Sequence, residues 1–163
     1  MKQILKTLTT TALTIALTLT ASVSQILDGD SLLISLPTGE QTQLRLACVD
    51  SMEFDQKGGI EALNHLENLV SPGDTLEVEN LSEDRFGRII GTAKTQNGTD
   101  LGLEMVSQGH AVPYYFYLNE CPNADAILAA EQEAKDNDRG IWGSGTKYFP
   151  WVFRRSRCLK SAV

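Results

Sequence analysis

The chain has 163 residues, 42% of them hydrophobic, and a formal net charge of −7. That is enough apolar material for one globular domain, with no internal repeat or low-complexity block pointing to a solenoid or a disordered chain. An acidic surface repels polyanions, so a protein that grips nucleic acid through a broad basic face is excluded, while a local site where a cation does the attracting is not.

The N-terminal residues carry Lys2 and Lys6, then an uncharged, threonine-rich apolar run, then small residues. This is the layout of a secretory leader. A membrane-spanning anchor is the other reading, but the run is short and diluted by threonine. We therefore expect a signal peptide over residues 1–24, cut between 21 and 24, and a secreted or periplasmic protein, anchored only if the segment is kept. Removing residues 1–24 takes away two lysines and no acids, which lowers the charge from −7 to −9.

Alternating patterns predict strands over 22–27 and 31–36 around the turn Asp28-Gly29, and a third over 41–49 after Pro37-Thr38-Gly39. Ile60, Leu63, Leu66, Leu69 and Val70 recur at helical spacing, and Ser71-Pro72-Gly73 stops them. Strands follow over 75–80 and 88–95, the second ended by Asn97-Gly98. Short and longer helices over 101–108 and 124–139 are closed by Gly109 and Gly140. The sum is an α+β domain of five strands and three helices, compatible with a small OB-fold barrel. Residues 148–163, with Arg154, Arg155, Arg157 and Lys160, read as a solvated basic extension.

Three short charged clusters fall at strand ends: Asp28 and Asp30; Arg45, Asp50 and Glu53; and Asp84, Arg85 and Arg88. Asp28-Gly29 and Asp84 to Gly87 have a plain reading as turn chemistry. Carboxylates at a barrel mouth are also the oxygen ligands a hard cation such as calcium requires, and arginines beside them are planar donors matched to a phosphate. The stretch QLRLACVDSMEF, Gln43 to Phe54, puts Arg45 on the face opposite Leu44 and Leu46 and ends in two acids.

The order DGDS, LRLACVDSMEF, EDRFGRIIG, SQGHA and RGIW resembles the staphylococcal nuclease-like (thermonuclease) family over about residues 22 to 145. The resemblance implies a five-stranded OB-fold barrel with three helices and a calcium-dependent phosphodiesterase acting on DNA and RNA; a monomer with no stable protein partner is expected. Carried over residue by residue, it implies Asp30 and Asp50 as carboxylate ligands of calcium, with Ser51 lending a backbone carbonyl. It implies Glu53 as general base, Arg45 and Arg88 on the scissile phosphate, and Arg85 and Tyr114 as substrate contacts. Four positions depart from the family pattern: Ser31 for a threonine, Phe86 for a tyrosine, Val112 for a second nucleotide-contacting tyrosine, and Met52 for a proline, the last freeing the backbone ahead of Glu53. PWVFRR in the tail is similar to an extension of some bacterial members. The alternatives are a noncatalytic nucleic-acid or protein-binding module on the same fold, and a calcium-stabilised surface domain.

Three cysteines in an exported chain allow one disulfide. Cys48 shares the face of Leu44 and Leu46 and is expected buried as a thiol, which leaves Cys121 and Cys158 as the candidate pair. His65 and His110 have no partner at metal-ligand spacing and read as structural. Tyr114 to Tyr117 could offer a stacking platform for bases.

Overall fold

The computed structural model describes residues 18–145 and 148–160. Strands β1 (Thr18–Asp28), β2 (Ser31–Ser35) and β3 (Gln41–Leu46) form the expected meander, followed by β4 (Val49–Ser51) and helix α1 (Gly59–Leu69). Then come β5 (Thr75–Glu83), β6 (Ile89–Thr95), α2 (Leu101–Ser107), β7 (Ala111–Pro113), α3 (Ala124–Asp136) and α4 (Pro150–Lys160).

The strands close into a barrel in the order β1-β2-β3-β6-β5, with β3 and β6 parallel and every other pair antiparallel. Closure depends on β1 serving two neighbours. Its start pairs Thr18 to Ser22 with Glu79 to Thr75, and the rest pairs with β2 across register shifts near Ser24 and Leu27. Extra residues of this kind bend and twist a strand, which lets one strand turn the corner between two partners. The expected leader over 1–24 thus overlaps β1, whose Ala21 and Val23 are buried in the barrel.

Leu32, Ile34, Leu44, Leu46, Leu76 and Val78 fill the barrel, capped by Ala62 and Leu66 of α1 and by Leu101, Met105 and Val106 of α2. Each fully buried leucine contributes roughly 2 kcal/mol by area. A second, smaller cluster joins Met52, Val112 and Ile141 to Trp142, Phe149 and Trp151. Gly109 and Gly140, the glycines of SQGHA and RGIW, both have positive φ and pack closely: a Cβ on Gly140 would collide with the Gly109 carbonyl, and one on Gly109 with the Arg139 carbonyl. Ile141 N–H donates to the Gly109 carbonyl at 3.0 Å across this contact, fixing where the C-terminal segment leaves α3.

Three expectations are corrected. The strand expected over 41–49 breaks after Leu46, because Ala47 and Cys48 form a turn with Cys48 at φ 69°, and the chain resumes as β4 against β7. Cys121 pairs with Cys48, at a Cα–Cα distance of 5.9 Å, and not with Cys158, which is exposed on α4. The turn rotates the Cys48 side chain away from the strand alternation that predicted a buried thiol. The basic extension is a helix, making four α-helices among the described residues where three were expected. Pro150 at its first position and arginines toward its end suit a helix, since proline's missing N–H is harmless there and cations favour the C-terminal dipole. Among the described residues no helix is long and apolar enough to cross a membrane.

Candidate active site

The site is built around the corner between β3 and β4. Leu44 and Leu46 point into the core, so Arg45 between them points out, and the β2–β3 register sets it opposite Ser31. Its Nη1 donates to the carbonyls of Leu46 and Val49, each at 3.0 Å, filling the turn that Ala47 and Cys48 make. The same guanidinium meets Asp30 Oδ2 at 3.0 Å and Asp50 Oδ1 at 2.8 Å. One side chain thus orders the turn and draws two carboxylates together.

Asp30 is buried and further held by the Ser51 N–H at 2.6 Å and the Ser31 hydroxyl at 3.0 Å. The tight approach needs Gly29: a Cβ there would lie 2.7 Å from the Ala62 Cβ and 2.9 Å from the Ser51 Cβ. The glycine of DGDS therefore seats the β1–β2 turn against α1 and β4. Burial and the charge of Asp30 together push the Asp28 carboxyl up to about 6. Asp50 lies opposite Val112 on β7 and is fully buried. Burial pushes its pKa up, although Arg154 and Arg45 pull against it.

Glu53 is half-buried in the loop between β4 and α1. The Gln56 side chain accepts from the Glu53 N–H at 3.2 Å, and Gln56 N–H donates back to the Glu53 carbonyl at 2.8 Å. Gln56 is itself buried and donates to the Tyr148 carbonyl at 2.7 Å. Met52, the residue at the proline position, is fully buried against Val112 and Ile141, so packing supplies the restraint that the missing ring would have given.

Arg154 of α4 completes the cluster. Its Nη2 lies 2.7 Å from Asp50 Oδ2, and its Nη1 lies 3.0 Å from Asp50 Oδ1 and 2.6 Å from Glu53 Oε1. Burial works to lower the arginine's pKa, but hydrogen bonds and charge from Asp50 and Glu53 outweigh it and the net shift is upward. One turn on, Arg157 pairs with Asp55 at 2.8 Å.

The other expected residues stand apart from this network. Arg88 is held by Asp84 at 2.7 Å, and no ion pair or hydrogen bond among the described residues joins it to Asp50 or Glu53. Arg85 is exposed, its guanidinium 4.8 Å from the Phe86 ring centre. Gln43, Phe86, Gly87 and Arg88 line a groove of about 330 Å³ where β3 adjoins the start of β6. Tyr114 follows β7, its N–H on the Cys48 carbonyl at 2.8 Å, so the Cys48–Cys121 bridge anchors the aromatic run as well as the turn that aims Asp50. In that run Tyr115 donates to Glu131 at 2.5 Å, and Trp151 of α4 packs edge-on to Tyr115 and Phe116. His65 and His110 stack on each other at 4.5 Å, joining α1 to the end of α2.

Among the described residues no group of three or more histidine, cysteine or acidic side chains converges as a finished metal cage. The donor set nonetheless suits a hard divalent cation. Asp30, Asp50 and Glu53 against Arg45 leave two negative charges; Arg154 cancels one, and a divalent ion in its place would cancel both. Sequence reasoning missed Arg154, Gln56 and the Cys48 bridge. The arginine had a signal in PWVFRR, whereas neither charge nor periodicity marked Gln56.

A family model, staphylococcal nuclease homologue, matches residues 43–144, which takes in Arg45, Asp50, Glu53 and Arg88 and stops before α4. The chain is 31% identical over 144 residues to a micrococcal nuclease of Shigella flexneri, covering 82% of this chain and 79% of that protein. It is 30% identical over 136 residues to an uncharacterized endonuclease of Escherichia coli, covering 83% and 84%. Similarity to endonuclease YhcR of Bacillus subtilis (strain 168) is 28% over 148 residues, where 81% of this chain spans only 12% of that protein. With most of its length matched by the family model, the chain belongs to the staphylococcal nuclease homologue family.

Proposed function

We propose that the protein is an exported, calcium-dependent nuclease that hydrolyses phosphodiester bonds of DNA and RNA as a monomer. The observation that carries this reading is the convergence of Asp30 and Asp50 on the Arg45 guanidinium, with Glu53 on the next loop. Asp30, Asp50 and the Ser51 carbonyl would hold the cation, which when bound supplies Lewis-acid charge to the phosphoryl oxygens. Glu53 takes a proton from the attacking water, a contribution on the order of 100- to 10,000-fold for a positioned base. Arg45 keeps positive charge at the floor of the site, and Arg88 turns from Asp84 to the phosphate as negative charge builds in the transition state. Tyr114 and Arg85 contact the flanking nucleotides.

Export is supported by the Cys48–Cys121 disulfide, a bond that persists in oxidising compartments. With Ala21 and Val23 buried in the barrel, a leader whose removal keeps β1 whole ends before Thr18.

One feature favours a noncatalytic binding module instead: the acids already carry an internal counter-ion in Arg154. Hydrolysis of single-stranded DNA and of RNA by the purified protein separates the two. A nuclease cleaves both with calcium and neither with a chelator, and a binding module retains them uncut under every metal.

A further inference from the structure

We propose that α4 is a cation-operated latch: Arg154 occupies Asp50 and Glu53 in place of the metal, and a divalent cation opens the site by expelling it. The inference rests on the metal-dependent reading given above.

Three observations carry it. The Arg154 contacts use both oxygens of Asp50 and one of Glu53, the groups that a cation and the attacking water need. Arginine and cation thus compete for Asp50, because a guanidinium on both its oxygens and a divalent ion on the same carboxylate would set like charges against each other. Next, the side chains by which α4 reaches the loop after Met52 are charged, while its apolar anchor is Trp151, packed with Phe149 at the Met52 and Val112 cluster. Arg154 and Arg157 reach Glu53 and Asp55 from one face of the helix, while Gln56 and Lys57 bond the carbonyls of Tyr148 and Ser144 at 2.7 and 2.6 Å. Ion pairs open to solvent can be exchanged for a divalent ion at little cost, which frees the arginines while Trp151 keeps the start of the helix in place. Finally, Trp151 lies against Phe149, Tyr114, Tyr115 and Phe116, so the same helix covers the aromatic run beside the site. Closed, α4 masks the acids and the stacking surface together. The electrostatics favour opening when the ion arrives, since Arg154 leaves one negative charge uncancelled and a divalent cation leaves none.

The test compares the full chain with Arg154→Met, which removes the charge and keeps the stem. Calcium binding is read by titration calorimetry, and amide hydrogen exchange across residues 151–158 is followed with and without calcium. The latch predicts at least tenfold tighter calcium binding by the variant. In the wild type, which needs no substitution and so no refolding control, it predicts that saturating calcium raises exchange in α4. Calcium binding with equal or weaker affinity in the variant, or with α4 exchange unmoved in the wild type, overturns the latch and leaves the metal-dependent reading standing. No calcium binding by either protein overturns both.

Discussion

Arg154 donates to both carboxylate oxygens of Asp50, at 3.0 and 2.7 Å, although the two residues lie on α4 and β4 and share no stretch of chain. Asp50 therefore sits between two guanidinium groups, Arg45 from β3 and Arg154 from the C-terminal helix. The two arginines do different things. Arg45 is mostly enclosed and also fills the carbonyls of the β3–β4 turn, whereas Arg154 approaches from outside with a side chain 39% exposed. One belongs to the floor of the site and the other to its cover.

Replacement of Arg45 by methionine is accordingly expected to destabilise the fold as well as the site. It leaves two buried carboxylates and two turn carbonyls without their donor, and breaking a buried pair from one side costs about 3–5 kcal/mol. Urea unfolding at neutral pH should show a loss in that range. A loss under about 1 kcal/mol would mean that Arg45 does not organise the turn.

Cys121→Ser should lower stability by roughly 4 kcal/mol on the chain-entropy model, because the bridge to Cys48 closes a long loop across a separation of 73 residues. Cys158→Ser, at an exposed helical position, should change it by less than about 0.5 kcal/mol. Thermal melts of the two variants compare them directly, and equal losses would contradict the pairing.

Gln56→Ala should lower kcat by roughly 100-fold while KM moves little, because misplacing a catalytic group by an ångström costs about that much. The glutamine bonds the Glu53 backbone in both directions and contributes nothing to the acid cluster itself. Steady-state kinetics on a short oligonucleotide would detect it, and an unchanged kcat would show that Met52 packing alone holds the loop.

The stacked histidines give the protein an acid-sensitive joint. Burial, then the charge of His65, pushes His110 down to about 4, and burial lowers His65 as well, with Glu61 of α1 and Glu104 of α2 pulling the other way. Both folded-state values lie below the ordinary histidine value of about 6.5, so the unfolded chain takes up protons first as pH falls. Their stabilising contribution is complete above pH 6.5 and is lost as pH drops toward 4. His110→Gln should flatten the fall in urea midpoint between pH 7.5 and 4.5, and an identical pH profile for the variant would contradict this account.

Much of the fold was legible because barrel strands leave local marks: alternation in β2, β5 and β6, and turn residues at Asp28-Gly29 and Asn97-Gly98. The acid cluster was legible too, since Asp30, Asp50 and Glu53 fall where strands end. What stayed hidden is non-local. The turn that breaks the strand after Leu46 carries a bridge from Cys48 to a residue 73 positions away, and no alternation pattern marks that pairing. The role of Arg154 depends on Trp151 and Phe149 folding back over Val112 and Met52, so its charge read as a solvated tail until the packing was seen. Arg88 shows the converse, a motif residue whose partner is its local neighbour Asp84.

The most direct test of the central claim is the single-turnover hydrolysis of single-stranded DNA by the wild type, Glu53→Gln and Arg154→Met at saturating calcium. The account predicts cleavage by the wild type and by Arg154→Met, and a fall of at least 100-fold for Glu53→Gln with its melting temperature preserved. Equal rates for the wild type and Glu53→Gln, or no cleavage by either the wild type or Arg154→Met, would contradict it.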